Sequence, residues 1–192
     1  MLRVLQQEQS RHAHRIVACN ISPQMLRIAQ RRLSQLHPAI EVRCLDAHGL
    51  SGVAPDSFDL CSISLGLKIC ERHTVLQEAL LVLRPGGRLI VLEASNIPVR
   101  WLQNVHLRYM SICMPVIGWI ATGGDTSAYR YLLRGVREFP TAERLAHEIR
   151  DLGFQDVSFE RLSLGIVAIH VARKPPRPTS GEPTLGSAAS GS

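Results

Sequence analysis

The stretch LRPGGRLIVLE, from Leu83 to Glu93, predicts the end of a helix, a tight turn and a buried strand. Apolar residues upstream recur at helical spacing, and Pro85–Gly87 then ends the helix, because proline disfavours the α region for the preceding residue and glycine accepts a positive φ. Leu89–Leu92 is a continuous apolar run, typical of a strand covered on both faces in a parallel sheet. Glu93 ends that strand, where parallel sheets place ligands.

Three earlier segments have the same form, an apolar strand that ends in a polar residue. They are Arg15–Cys19 before Asn20, Glu41–Leu45 before Asp46, and Phe58–Ile63 before Ser64. Since each is followed by a crossover, they predict a doubly wound, mostly parallel α/β sheet with its polar groups at one edge, the usual ligand crevice. Too few residues separate Val157–Leu162 from Gly165–Val171 for a crossover, so these two predict a C-terminal antiparallel hairpin.

Between the fourth strand and the hairpin lies an insert that we expect to cover the crevice. Trp101–Ile112 is an aromatic-bearing helical stretch, Thr122–Asp125 reads as a loop, and Tyr129–Phe139 predicts a second helix. After the insert, Pro140–Leu152 predicts another helix, which leads into the C-terminal hairpin.

Composition bounds the class of protein. With 192 residues, 45% of them hydrophobic, the chain predicts one domain over residues 1–173, followed by a Pro-, Gly- and Ser-rich disordered tail over residues 174–192. The net charge of +6 is spread without a basic run, and aromatics are only 5%, which argues against nucleic-acid binding and is compatible with anionic lipid. The five cysteines form no CxxC pair, so we do not expect them to bind a metal. We expect the cysteines in the predicted strands to be small buried hydrophobic residues of a protein from a reducing compartment. No apolar segment reaches membrane-spanning length, so we expect a soluble protein, at most peripheral to a membrane.

Five motifs in this order and spacing resemble the ubiquinone/menaquinone biosynthesis C-methyltransferase family, within the class I S-adenosylmethionine-dependent methyltransferase fold. They are NISPQML (20–26), SISLGL (62–67), LRPGGRLIVLE (83–93), SAYRYLLRGVREFP (127–140) and GIVAIH (165–170). The resemblance implies methyl transfer from S-adenosylmethionine to a ring carbon of a polyprenyl benzoquinol or naphthoquinol. The protein's tasks would be to align ring and methyl, exclude water and assist loss of a ring-hydroxyl proton.

The resemblance also assigns site residues. Asn20 stands where the family has an acid that accepts from both ribose hydroxyls, a departure because an amide has one acceptor oxygen and no charge. Asp46 and Ala47 match the pair flanking the adenine, with Asp46 placed to accept from the exocyclic amine. Ser64 matches a cofactor-contacting serine. Lys68 replaces an arginine thought to activate a water or orient the ring hydroxyl, and an ammonium cannot reproduce that planar donor.

Several of these residues also have structural explanations. Lys68 is better explained as a surface lysine than as a catalytic group, since Ile69 and Cys70 replace the polar pair that usually follows it. Asp125 and Tyr129 are candidate substrate-binding residues, although tyrosines at helical spacing often serve packing. His170, at the end of an apolar strand, predicts a structural histidine.

The family's glycine-rich first motif, which lets backbone amides approach the cofactor, is absent before residue 15. Its strand would lie between the strands at 15–19 and 58–63, so we expect a methyltransferase domain that lacks its first strand and has two unpaired inner edges. Leu2–Leu5 could form a strand, but its link to Arg15 is too short for a helical crossover.

Two functional hypotheses follow. The first is a quinone-biosynthesis methyltransferase whose cofactor binding is weakened by the missing motif. The alternative is a catalytically silent, methyltransferase-like subunit that acts as a scaffold or binding partner. The family implies a lipophilic quinol substrate, peripheral membrane contact, and either a homo-oligomer or a quinone-synthesis complex. It works in the bacterial cytoplasm or on the matrix side of the mitochondrial inner membrane.

Overall fold

The computed structural model describes residues 15–33, 40–122 and 139–177. The strands in these ranges are β1 (Ile16–Asn20), β2 (Ile40–Cys44), β3 (Phe58–Ser64), β4 (Leu83–Ala94), β5 (Gln155–Leu162) and β6 (Val167–Arg173). The helices are α1 (Pro23–Leu33), α2 (Arg72–Val82), α3 (Arg100–Thr122) and α4 (Ala142–Asp151), with short 3-10 turns at Leu67–Ile69 and Ser163–Gly165.

The strands form two sheets. A two-stranded sheet pairs β1 with β2 in parallel, and a four-stranded sheet has the order β3-β4-β6-β5. β3 and β4 are parallel, while β6 runs antiparallel to both β4 and β5. The predicted combination of parallel crossover strands with a C-terminal antiparallel hairpin is therefore confirmed.

The described strands divide into two sheets between β1 and β3. Within the described residues, β1 pairs only with β2, and β3 pairs with no strand other than β4. Residues 1–14, with the candidate strand Leu2–Leu5, lie outside the described ranges, so the expected lack of a first strand stays a prediction.

The hydrophobic core belongs to the four-stranded sheet. Every fully buried apolar residue in the described ranges lies between Leu67 and Ala172. The cluster is built from the inner faces of α2 and α4 against β4 and β6. In contrast, α1 has no buried residue, and its Met25 and Ile28 are exposed. The β1–β2–α1 unit thus has amphipathic elements whose apolar side is only partly covered.

That partial cover corrects one expectation about cysteines. Cys19 and Cys44 were predicted as buried hydrophobes but are exposed, because they lie in the thinly covered two-stranded sheet. Cys61, in β3, is half-buried, and burial raises the pKa of its thiol to about 11. All five cysteines are free thiols.

The LRPGG segment differs from its prediction. Helix α2 ends at Val82, and the extended chain begins at Leu83. Leu83 pairs with Phe58 and Arg88 with Leu60, so four residues of β4 lie opposite the single Asp59 of β3. The predicted turn is therefore a large bulge inside an extended segment, rather than a loop that separates helix from strand.

Two glycines allow this bulge for different reasons. Gly86 has φ +80°, a conformation that side chains rarely adopt. Gly87 is in close contact with the backbone, since an added Cβ would lie 2.8 Å from the carbonyl oxygen of Arg84 and 3.2 Å from that of Asp59.

The insert after β4 is more helical than predicted. Helix α3 runs from Arg100 to Thr122, so Thr122, predicted as the start of a loop, is its last residue. The loop from 123 onward and the predicted helix over 129–138 lie outside the described residues. Phe139 is buried in the core just before α4. No helix in the described ranges is long and apolar enough to cross a membrane.

The chain after β6 continues along the bulge. The backbone N–H of Lys174 donates to the oxygen of Gly87 at 2.8 Å, and its ammonium donates to Asp56 at 2.7 Å. Residues 178–192 lie outside the described ranges, and the domain boundary at residue 173 stays a prediction.

His170 is the structural histidine that the apolar strand predicts. It is 2% exposed, and its Nε2 donates to the oxygen of Ala142 at 2.9 Å, which ties β6 to the start of α4. Its Nδ1 is buried without a partner in the described part of the chain. Burial lowers the pKa of His170, because an imidazolium loses its hydration there.

We expect Gly87→Ala to destabilise the protein by roughly 1–3 kcal/mol, because the new methyl group must displace backbone rather than a flexible side chain. Urea denaturation measures the free energy of unfolding. Gly49→Ala is the matched control, since nothing lies within 4 Å of its added Cβ. Equal effects of the two substitutions would contradict the close approach at Gly87.

We expect stability to fall as pH drops below about 6.5, the ordinary histidine value. In that range the unfolded chain takes up a proton at residue 170 and the folded chain does not, so the free energy of unfolding rises with pH. His170→Gln, which keeps a donor for Ala142 but cannot titrate, should flatten this dependence between about pH 5 and 7. An unchanged slope in His170→Gln would overturn the assignment.

Candidate functional site

The strands place the predicted cofactor residues at their carboxyl ends. Asn20 is the last residue of β1, Ser64 is the last residue of β3, and Asp46 follows β2 by two residues. Glu93 lies at the carboxyl end of β4. Because β1 is parallel to β2 and β3 is parallel to β4, each sheet gathers its polar groups at one edge.

The Asn20 side chain is already engaged in local structure. Its Oδ1 accepts a hydrogen bond from the backbone N–H of Ser22 at 2.8 Å, the turn from which α1 begins. The amide nitrogen of Asn20 makes no hydrogen bond within the described residues, and the residue is exposed. The Asn20 side chain can therefore offer a ligand its NH₂ group, a hydrogen-bond donor, whereas the acid at this position in the family would offer acceptor oxygens.

Asp46 is held as an ionised acceptor by His48. Its Oδ1 accepts from the His48 backbone N–H at 2.9 Å and from the His48 ring at 2.7 Å. These bonds, the backbone one most, lower the pKa of the Asp46 carboxyl. The side chain is half exposed, and both bonds use Oδ1. Oδ2 has no hydrogen-bond partner in the described part of the chain, and Ala47 packs partly against the core.

The same histidine joins this loop to helix α2. The backbone N–H of Glu71 donates to His48 Nε2 at 3.0 Å, so Nε2 carries the lone pair and Nδ1 carries the hydrogen that Asp46 accepts. Further along the loop, the N–H of Leu50 donates to Glu78 at 2.9 Å. The loop from Asp46 to Leu50 is therefore held at two points by helix α2, which packs against the four-stranded sheet.

Ser64 ends β3 with an exposed side chain. Its backbone is in register with Leu92, and the next N–H, of Leu65, donates to the Leu92 oxygen at 2.8 Å. Leu65 has φ +54°, which turns the chain away from the sheet and leads into the short helical turn that carries Lys68. The Ser64 hydroxyl makes no hydrogen bond within the described residues.

Lys68 forms a buried ion pair with Glu93. The ammonium lies 2.9 Å from Glu93 Oε1, and the two side chains are 7% and 1% exposed. Lys68 Nζ also donates to the oxygen of Leu65 at 2.5 Å. Glu93 accepts from the backbone N–H groups of Lys68 at 3.2 Å and of Ala94 at 2.9 Å. The alternative of a surface lysine is wrong, while the catalytic assignment of Lys68 stays a prediction.

Cys70 lies among these charges. Burial raises the pKa of its thiol, and the carboxylates of Asp46 and Glu93 raise it further. A thiol held protonated in this way is a poor nucleophile.

A second polar cluster continues the carboxyl edge beyond Glu93. The N–H of Ser95 donates to the oxygen of Ile166 at 2.8 Å, so the ladder with β6 extends past the strand end. Ser95 alternates onto the same face as Glu93, and its hydroxyl is buried without a partner in the described part of the chain. Gln103 donates to Asn96 at 3.0 Å and accepts from Ile97 N–H at 2.8 Å, which anchors α3 to this edge.

The sequence places Glu93 at the ligand edge without giving it a role, and it does not assign His48 or Ser95 to the site. A partner for Glu93 could have been predicted, because Glu93 at the end of β4 and Lys68 just after β3 are single charges beside apolar residues at the ends of neighbouring parallel strands. Two such charges would each be costly alone and should pair. No comparable signal marks His48 or Ser95, whose roles depend on tertiary contacts.

Asp125 and Tyr129, the predicted substrate-binding residues, lie outside the described ranges. Their substrate assignments stay predictions, as do the cofactor assignments of Asn20, Asp46, Ala47 and Ser64.

Comparison with known proteins gives a consistent result. The profile described as the ubiE/COQ5 methyltransferase family matches residues 2–174. A demethylmenaquinone methyltransferase of Paenarthrobacter aurescens is 37% identical over 161 residues, spanning 83% of this chain and 61% of that protein. The ubiquinone/menaquinone biosynthesis C-methyltransferase of Paracoccus denitrificans is 38% identical, over 81% of this chain and 63% of its own.

A human relative extends the match to mitochondria. The mitochondrial 2-methoxy-6-polyprenyl-1,4-benzoquinol methylase is 36% identical over 167 residues, or 85% of this chain and 50% of that protein. The chain thus spans about half to two-thirds of the length of these curated relatives.

Solved structures support the fold. The [4+2]-cyclase SpnF superposes with a TM-score of 0.63 at 21% identity, covering 91% of this chain and 71% of that chain. A SAM-dependent methyltransferase of Thermotoga maritima gives a TM-score of 0.59 at 18% identity, with 83% and 72% covered. At these identities the similarity establishes the class I methyltransferase-like fold, and not the chemistry.

We expect Lys68→Met and Glu93→Leu each to cost about 3–5 kcal/mol of stability, because each leaves one buried charge without its partner. The double variant should lose less than either single variant, since it removes both charges. Urea denaturation of the four proteins gives the double-mutant cycle. Arg84→Met is the control: it breaks the exposed Arg84–Asp59 pair and should cost below about 1 kcal/mol. A loss that small at Lys68 would contradict burial of the pair.

Proposed function

Since the chain belongs to the ubiE/COQ5 methyltransferase family, we propose that it binds S-adenosylmethionine at the carboxyl edge of its sheets and methylates a ring carbon of a polyprenyl benzoquinol or naphthoquinol. The observation that carries the proposal is the ionised, half-exposed carboxylate of Asp46, positioned by His48 and flanked by Ala47. The names of the relatives supply the substrate class, as enzymes of ubiquinone and menaquinone biosynthesis.

The residues present fit the adenosine end of the cofactor. Asp46 Oδ2 is open to accept from the exocyclic amine of an adenine, and Ala47 offers a small apolar surface beside it. The free amide hydrogens of Asn20 and the exposed hydroxyl of Ser64 are suited to hydrogen-bond ribose oxygens and the adjoining chain. The cofactor supplies an electrophilic methyl group on a sulfonium when bound.

On the substrate side, the chain's own residues have to hold the ring and stabilise the anion that forms when the ring hydroxyl gives its proton to water. After methyl transfer, the hydrogen on the methylated carbon also leaves to water as a proton, which restores the aromatic ring. Within the described residues, Lys68 uses two of its three N–H groups on Glu93 and Leu65, which leaves the third to donate to a ring oxygen. A donor at that oxygen favours the phenolate, whose negative charge makes the ring carbon nucleophilic. Ser95 adds, on the same face as Glu93, a buried hydroxyl that has no hydrogen-bond partner among residues 15–33, 40–122 and 139–177.

The substrate also bears on where the protein works. A polyprenyl tail resides in a bilayer, so we place the reaction at a membrane surface: the cytoplasmic face in a bacterium, or the matrix side of the inner membrane in a mitochondrion. Relatives of both kinds are similar to this chain.

Two observations favour the second candidate, a catalytically silent binding subunit. The acceptor oxygen of Asn20 is committed to the Ser22 turn, which leaves a weaker ribose site than a carboxylate. In addition, β1 and β3 have unpaired inner edges within the described residues. Under this hypothesis the fold is kept while cofactor affinity is lost.

Calorimetric titration of the chain with S-adenosylmethionine tests the proposal. We expect weak binding, with a Kd above about 100 μM, and a further loss of roughly ten- to a hundredfold in Asp46→Asn, because a charged acceptor becomes a neutral one. Asp59→Asn, an exposed acid at the other end of β3, is the matched control and should bind like the wild type.

Three results would contradict this account. Micromolar affinity would show that the missing glycine-rich motif does not matter. Equal affinity in Asp46→Asn would remove Asp46 from the site. No heat at about millimolar cofactor would favour the silent subunit.

A further inference from the structure

Helix α3 carries an exposed apolar face. Trp101, Val105, Tyr109 and Ile112 are 68%, 55%, 61% and 67% exposed, and we call these four residues the α3 stripe. Their spacing of four, four and three residues places them within an arc of about 80° and along about 17 Å of the helix. Exposed apolar residues are common singly, but a continuous row of large ones marks a contact surface.

The stripe is held facing outward by its neighbours. Gln103 on the opposite side of α3 bonds to Asn96 and Ile97 at the end of β4, which fixes the rotation of the helix's first turn. The residues between those of the stripe, from Leu102 to Met110, are half-buried where they face the protein. The stripe is therefore presented on a positioned helix.

Charge beside the stripe points to an anionic surface. Arg108 is exposed and projects about 20° from the direction of Trp101 around the helix. The helix from Arg100 to Thr122 contains no aspartate or glutamate, and the whole chain carries a net charge of +6. An arginine near an anionic bilayer contributes about 1 kcal/mol of attraction.

We propose that the α3 stripe docks the protein on an anionic lipid bilayer. Tryptophan and tyrosine, which make up half of the stripe, prefer the membrane–water interface because their rings are apolar and their N–H and O–H groups remain hydrated. An apolar row flanked by a cation is typical of a helix that lies in this interface. The bilayer as occupant rests on the proposed function, since a prenylated quinol is reached from a membrane.

Flotation with lipid vesicles tests the proposal without cofactor or quinol. The chain should bind phosphatidylcholine vesicles that contain roughly one-third phosphatidylglycerol, and Arg108→Gln should weaken this binding about fivefold. Trp101→Ser/Tyr109→Ser should reduce it at least about tenfold, because two interfacial rings are lost. Leu164→Ser is the matched control: Leu164 is 78% exposed at the β5–β6 turn and should not matter.

An unchanged melting temperature shows that the variants still fold. Equal vesicle binding by the double variant and the wild type would overturn the proposal. The proposal would also be overturned if the wild type were a dimer, the double variant were a monomer, and the two bound vesicles equally. The stripe would then contact a second copy of the chain. Failure of the chain to bind S-adenosylmethionine would sink the proposed function but leave the flotation result unaffected, so the two failures are distinguishable.

Discussion

The buried pair of Lys68 and Glu93 is the interaction on which the carboxyl edge depends. Taking two charges out of water is costly, and the cost is recovered only when the geometry is good and the remaining polar atoms are bonded. Here both conditions hold: Glu93 accepts from the Lys68 ammonium and two backbone N–H groups, and Lys68 also donates to Leu65. The pair thereby joins the turn after β3 to the end of β4, the two strands whose ends border the proposed site.

Hydrogen bonds of His48 connect the two-stranded sheet to helix α2. His48 donates to Asp46 and accepts from Glu71, the residue that caps α2. Asp46 follows a strand of the two-stranded sheet, which contributes no fully buried residue to the core. The position of the proposed adenine-binding acid is therefore set by hydrogen bonds to α2 rather than by apolar packing. Loss of that histidine would release the acid while leaving the core intact.

Much of the fold could be predicted from the sequence because its signals are local. The strands ending in Asn20 and Ser64 are apolar runs followed by polar residues, and both end where predicted to within a residue. Within the described residues, the division into a β1–β2 sheet and a β3-containing sheet agrees with the strand order that the sequence predicts. The LRPGG bulge was misread as a loop, since glycines permit a turn without showing that the chain stays paired on both sides of it.

The site could be predicted less completely, because its geometry depends on partners far apart in the chain. Composition around Lys68 suggested a surface residue, whereas Glu93, twenty-five positions later, explains why the lysine is buried. The roles of His48 and Ser95 likewise arise from contacts with α2 and β6. The substrate-binding roles of Asp125 and Tyr129 stay predictions.

The carboxyl edge is the proposed binding site for S-adenosylmethionine. Backbone amide chemical shifts, followed by NMR during titration with the cofactor, show which residues the cofactor contacts. We expect the largest shift changes at Asn20, at Asp46–His48 and at Ser64–Lys68, with little change in β5. Shifts that are absent, or that cluster away from these strand ends, would contradict it.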